Sequence, residues 1–453
     1  MTISTALAQS RNTLTGPLLL PGDDEYEVAR QPWNRAIEQR PAAVALPQDA
    51  ADLRVLLSSA RDAGATVAVQ PSGHGAFSDL SGAILVRMGA FDDLDIDAAA
   101  GVARIGAGVQ WGSVIAALEG SGWSAPSGTS PVVTPVGYTL GGGHSWFSRT
   151  AGLGSDNLRA AWVVRTNGVH ERVDDASDPD LMWALRGAGG LVGIVTAVEI
   201  DLVPTPALWG GSLMFEASDT PSVLRAVRDL AAAAPDTLNV FVSSMRLPDA
   251  PQLPEQIRGR SFLNVEALVV DESALTLLDA IRGAGRVLRE HVGTTSPAAL
   301  AAQSLEPTDP SPSRGSAVAL TRLTDEAIDA VYEFRERPEQ WPLVGIDIRM
   351  LGGALKEPRR EGFASLASAE WIVHGLAPMF PGAPVEPGAA ALAGFGDLFG
   401  ADEADAIVPT FLAPGDTLQR CGSAADIERV QTLRARFDPD GILHEGRLPR
   451  ATA

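Results

Sequence analysis

One cysteine in 453 residues, Cys421, leaves no intramolecular disulfide and no thiolate-rich metal or iron–sulfur site to build. Any redox chemistry in this chain therefore needs an organic cofactor. Basic clusters are also missing: 35 Lys and Arg stand against 56 Asp and Glu, for a formal charge of −21. Such a field repels a phosphate backbone, so nucleic acid is excluded as a partner. Runs of about 18 apolar residues do not occur, and the N-terminal stretch MTISTALAQSRNTLTG has no basic start ahead of an apolar core. No membrane association is expected, and the expected location is the cytoplasm. Internal repeats are absent too.

What the chain does have is a globular composition, 45% hydrophobic and 20% charged. Its length exceeds what one core usually organises, so at least two lobes are expected. Residues 44–75 combine a short strand, a helix opened by Asp49 and Asp52 with Leu53, Leu56, Leu57 and Ala60 on one face, and a second strand. That order predicts an α/β layer. Further strands at 83–88, 102–105 and in AAWVVRT and GIVTAVEIDLV, with a helix from Trp111 to Leu118, carry the layer to Pro204 and Pro206. Beyond residue 207 the segments lengthen. Thr220 and Pro221 look like an N-cap and first-turn proline, helices are predicted over 274–281 and 327–334, and FVSSM and GIDIRM are strand-like. The loops EPTDPSPSRGS and MFPGAPVEPGAAALAG are read as surface connections, the latter as a possible cover for a pocket. A helix with Ile427, Val430, Leu433 and Phe437 on one face closes the chain.

Three glycine-rich clusters carry the functional signal. The first, Pro71, Ser72, Gly73, His74, Gly75 and Ala76, follows a strand, and its small residues leave backbone N–H groups open to a pyrophosphate. By itself such a histidine is more often a solvated or capping residue. The second, VGYTLGGGHSWFSRTAGLGSDNL, holds Gly141, Gly142 and Gly143 in succession, which fits either a surface turn or close backbone approach to a large planar or phosphorylated ligand. The third, RGAGGLVGIVTAVEIDL, runs glycines straight into a strand. A fourth stretch, ARIGAGVQWGSVIAAL, imitates a dinucleotide fingerprint, but Gly112 comes one residue late and no acid follows about 20 residues on.

Taken in order, these clusters resemble the vanillyl-alcohol oxidase superfamily with its PCMH-type FAD-binding domain, and within it the berberine bridge enzyme-like FAD-linked oxidases. The likeness also includes LLLPGDDEYEVARQPWN, DPDLMWALRGAGGLVGIVT and LRARFDPDGILHEGRLP, so it runs nearly end to end. It implies an α+β fold of two lobes: a split FAD-binding domain, 1–205 with a returning segment 406–453, and a substrate domain, 206–405, whose antiparallel sheet roofs the flavin. It implies FAD covalently linked to His74, with cofactor contacts at Pro71 to Ala76, Ser130, Thr134, Gly137, Tyr138, Gly141, Gly142, Gly193, Ile194 and Val195. An imidazole suits that role, because one neutral nitrogen can attack while the other is held. The implied activity is an oxidase that takes hydride from a CH–OH or CH–NH carbon of a small-molecule substrate and passes electrons to molecular oxygen, giving hydrogen peroxide. A dehydrogenase or secondary-metabolism tailoring enzyme that does not use oxygen, or a catalytically degenerate flavin carrier, are the alternatives.

The departures matter as much. Where many relatives carry a second flavin link through cysteine, this chain has Ser130, which predicts a single-point tether. Two positions that are often tyrosine in the family are Ala151 and Phe411, and only Tyr26, Tyr138 and Tyr332 exist in the chain. A proton acceptor must then come from elsewhere. His144, Asp347 and His444 are the candidates, with His374 a further option; Tyr138 stands where relatives often have a histidine supporting the flavin and could supply the same hydrogen bond, while His170 and His291 read as surface residues. His144 fits a packed histidine equally well. Asp347 and Arg349 alternate with Ile346 and Ile348, so both face one side of a strand, and Asp347 stands where a relative has a glutamate in its cavity.

Overall fold

A computed structural model of the chain describes residues 3, 7, 9–249, 251, 255, 257–303, 306–337, 342–377 and 385–448. The first part of the loop read as a possible pocket cover lies outside them, and its second part is the helix Val385–Ala393.

Two sheets build the first lobe. Strands Ala43–Ala45 and Thr66–Val69 both pair in parallel with Ala83–Val86, and Leu18–Leu19 adds an antiparallel edge. Between the first two strands runs the helix Ala50–Ala63, whose limits follow from its end residues. The Asp49 carboxylate accepts from the N–H groups of Ala51 and Asp52, and Gly64 closes the helix at φ 64°, a backbone angle that costs glycine nothing. Asp52, also read as a helix opener, is buried and accepts from the N–H groups of Thr15, Gly16 and Gln48, pinning the preceding segment to the helix. A second, antiparallel sheet has the order Leu94–Asp97, Val102–Gly106, Ile194–Asp201, Leu158–Val164 and His170–Asp174.

The C-terminal helix Ala424–Phe437 is opened by a reciprocal Ser423 and Asp426 cap. The chain then returns to the first lobe: Val67 N–H donates to Ile442 O and His444 N–H to Val67 O. Residues from 7 to 448 share the resulting core.

The second lobe is a seven-stranded sheet, antiparallel throughout, ordered Val287–Thr294, Trp209–Glu216, Ser261–Val269, Leu238–Arg246, Gly345–Met350, Trp371–Ala377 and Arg314–Leu320. Ile346 and Ile348 face a core shared with the helices Thr220–Ala231 and Asp325–Glu336, which leaves Asp347 and Arg349 on the opposite face, toward the first lobe. The α+β, two-lobed fold expected from the sequence is what forms. One boundary moves: the cap of helix Thr220–Ala231 is Asp219, and Thr220 is its first residue. The Thr220 hydroxyl is spent on Ala217 O at 2.8 Å instead of capping.

Two buried polar side chains clamp the lobes together. Arg149, from the short helix Ser148–Ala151, donates to the carbonyls of Leu238, Ala234, Pro235 and Leu351. Asn239 donates to Trp146 O at 2.9 Å, and the Trp146 ring stacks on Phe241 at 3.9 Å. Among the described residues no helix is long and apolar enough to cross a membrane.

Candidate active site

Between the lobes lies a cleft of about 630 Å³ lined by all three glycine-rich clusters. That volume suits a large cofactor with a substrate beside it. The loop that carries His74 is held from several sides. Trp33 N–H donates to Ser72 O and Asn34 N–H to Gly73 O. Arg87, whose burial lowers it to about 10, spends its guanidinium on the carbonyls of Ala29, Gln31 and Gln70. Gly73 has φ 80°, and a Cβ there would lie 2.8 Å from Pro32 Cα, so this tight approach requires glycine.

His74 is stacked on Trp33, with ring centroids 3.6 Å apart and planes 15° apart. Burial lowers its pKa to about 4, and its Nε2 is buried with no hydrogen-bond partner. A neutral imidazole with an unpartnered buried nitrogen leaves that nitrogen free for a group bound in the cleft. The rest of the wall fits the same occupant. Ser130 Oγ and Tyr138 Oη are also buried and unpartnered, and a Cβ at Gly75 or Gly190 would enter open space. These are the features of a site shaped for a group that supplies hydrogen-bond partners of its own.

Of the expected cofactor contacts, Pro71 to Ala76, Ser130, Thr134, Gly137, Tyr138, Gly141, Gly193 and Val195 line the cleft. Gly142 and Ile194 stand behind its wall: Gly142 packs on Val408 and Ala364, and Ile194 is in the core. The triple glycine thus serves more than ligand approach. At Gly143 (φ 73°) a Cβ would strike Tyr138 Cε1 at 2.3 Å, and at Gly154 one would strike it at 2.7 Å. Part of the glycine run exists to seat one aromatic ring.

The proton-acceptor candidates divide by position. Tyr138 sits edge-on to Trp111 at 5.5 Å, and burial raises its phenol well above the usual tyrosine range. The phenol therefore stays protonated and able to donate. His144 is buried, with neither ring nitrogen partnered, and burial followed by the Arg349 charge holds it neutral. His444 lies beside the His74 loop, where its Nδ1 accepts from Gly446 N–H at 3.1 Å and its ring faces Phe77. Asp347 is on the sheet face toward the cleft but does not line it. Phe411, at one of the positions often tyrosine in the family, lies in a single 3-10 turn, Pro409–Phe411. Ala151 is buried in the short helix that also carries Arg149.

The sheet register aligns two rows on the face toward the first lobe, from which Arg349 and His374 line the cleft. Glu266, Phe241 and Arg349 form one, and Asn264, Ser243, Asp347 and His374 the next. Arg349 lies over the rings of Phe241 at 4.8 Å and Phe411 at 5.3 Å. Burial, then the Asp347 charge, raises Glu266 to about 7. Sequence reasoning passed over Glu266, although Asn264 and Glu266 alternate with apolar neighbours just as Asp347 and Arg349 do. No group of three metal-ligating side chains occurs among the described residues.

A family model described as an FAD binding domain matches residues 41–174. Among curated proteins, an FAD-dependent monooxygenase of Fusarium proliferatum is 38% identical over 175 residues, covering 38% of this chain and 34% of that protein. The (R)-6-hydroxynicotine oxidase of Paenarthrobacter nicotinovorans is 27% identical over 293 residues, covering 63% and 62%. The matches thus span less than two thirds of these relatives' own lengths. Among solved structures, a berberine bridge enzyme-like protein of Physcomitrella patens superposes with a TM-score of 0.84 at 17% identity, over 100% of both chains.

Proposed function

We propose that this chain, which carries an FAD-binding domain and has the fold of the berberine bridge enzyme-like proteins, is an FAD-dependent oxidase holding its cofactor through one covalent bond at His74. The reading rests above all on the orphaned, buried Nε2 of His74 in a cleft lined by three glycine-rich clusters. Bound FAD would supply the acceptor for a hydride from a CH–OH or CH–NH carbon of a small-molecule substrate, and a route for the electrons to oxygen with release of hydrogen peroxide. The chain's own work is positional. Trp33, Asn34 and Arg87 fix the His74 loop, Tyr138 offers a buried hydrogen-bond donor, and the Arg149 and Asn239 clamps hold the second lobe's sheet against the first lobe. With Ser130 in place of a cysteine, a second covalent bond has no partner.

Acid-precipitated protein should stay yellow, and the His74→Ala variant should release its flavin to the supernatant. Wild-type protein that gives up all its FAD to acid would refute the tether. Peroxide formed during turnover distinguishes the oxidase from a dehydrogenase.

A further inference from the structure

The loss of both family phenols leaves a question that the site geometry answers, on the premise of the hydride-removing function proposed above. We propose that His374 takes the substrate's hydroxyl or amine proton, and that Asp347, its cross-strand neighbour, is a positioning residue that keeps the imidazole basic enough to do so.

Register and space carry the assignment. Asp347 on strand Gly345–Met350 is paired directly with His374 on strand Trp371–Ala377, and the side chains of such a pair lie on the same face of the sheet. His374 lines the cleft, whereas Asp347 does not. The imidazole is seated by its other neighbouring strand: a Cβ at Gly315 would come within 2.3 Å of His374 Nε2, so a larger residue there would displace the ring. Phe411 stands edge-on at 6.2 Å; the aromatic body expected at that position remains and the hydroxyl is replaced by a neighbouring imidazole.

The other candidates are worse placed or worse tuned. Tyr138 is a neutral donor, and His144 has Arg349 near it with no carboxylate acting in its favour. His444 is engaged in its own turn on the His74 side. Around His374 the opposing charges are Asp347, which raises its proton affinity, and Arg349, which lowers it. Glu266 lies further along the sheet, and Phe411 and Ala317 add no charge. Burial is the largest influence and keeps the resting imidazole neutral, as a base must be.

The step balances simply. The substrate O–H or N–H bond breaks with its proton passing to a ring nitrogen of His374, the C–H bond breaks as a C=O or C=N bond forms, and bound FAD would supply the acceptor for the departing hydride. The imidazolium so produced faces the Asp347 carboxylate until it loses its proton to solvent, and the two electrons would pass from bound FAD to oxygen.

The test uses the flavin-loaded enzyme. Exchange of the imidazole C2 hydrogen for deuterium, followed by mass spectrometry across pH, reports the pKa of His374 without any substrate. Asp347→Asn should lower its proton affinity about tenfold, one pKa unit. An unchanged titration overturns the pairing. In stopped-flow bleaching of the flavin by benzyl alcohol, benzylamine or glucose, His374→Asn should slow reduction about 10²- to 10⁴-fold. Asp347→Asn should lower the plateau and move the limb where the rate rises with pH to lower pH. Normal bleaching by His374→Asn overturns the assignment. If no probe bleaches the wild type, the oxidase reading falls, while the His374 titration still judges the pair. Both variants should keep acid-stable yellow protein, which separates these effects from loss of the tether.

Discussion

Glu266 offers the sharpest check on the electrostatics of the sheet face. Its carboxyl is raised from 4.5 to about 7, first by burial and second by the nearby Asp347 charge, with Arg349 opposing. Folding therefore costs more once this group is ionised. A group whose folded pKa lies above its unfolded value gives stability that is intact below the unfolded pKa and lost as pH rises through the folded one. A carboxyl moved from 4.5 to about 7 corresponds to an upper bound of about 3 kcal/mol lost above pH 7. Glu266→Gln keeps an oxygen for the 3.1 Å hydrogen bond from Asn264 Nδ2 and cannot ionise. The variant should match wild type near pH 4.5 and exceed it by about 1 kcal/mol near pH 5.5 and about 3 kcal/mol near pH 8.5. Urea unfolding midpoints of the flavin-loaded proteins, taken across that range, measure the gap. A gap that does not widen by about 2 kcal/mol between the last two conditions refutes the placement of Glu266 in a dry site beside Asp347.

Two further perturbations probe the architecture that positions the site. Gly143→Ala combines a backbone angle of 73° with a contact of 2.3 Å to the Tyr138 ring, and should cost about 2–4 kcal/mol. In a double-mutant cycle, Tyr138→Ala should recover at least about 1 kcal/mol of that cost, and purely additive losses would show that the ring is not what the glycine accommodates. Arg149→Met leaves four carbonyls across the lobe junction without their donor. It should destabilise by about 2–4 kcal/mol and, in scanning calorimetry, separate the melting of the two lobes; a single unshifted transition would contradict the clamp.

Local signals carried the first lobe well. The Asp49 cap, the periodic leucines of Ala50–Ala63 and the glycine clusters are short-range features, each legible in a dozen residues. Thr220 misled because neither polar side chain at this helix start caps it: the Thr220 hydroxyl is spent on Ala217 O and the Asp219 carboxylate accepts from Arg286 N–H, partners that only the tertiary structure supplies. Gly142 and Gly143 misled for a different reason. A glycine shows that something approaches closely without saying what, and here Val408, Ala364 and the Tyr138 ring approach, not a ligand alone.

The polar sheet face was the hardest to foresee, because it exists only through register. Asn264, Ser243, Asp347 and His374 come from four strands that span residues 238–377 and share a row solely because their antiparallel pairings fall in step. A slip of one residue in any pairing would turn that strand's polar set into the helix-covered core. The buried Ile346, Ile348, Val265 and Val242 on the opposite face therefore fix where the charges stand. Hydrophobic residues that never touch the cleft thus decide which imidazole meets which carboxylate. Exchanging Ile348 for a charged residue should harm the site through register before it harms it through any direct contact.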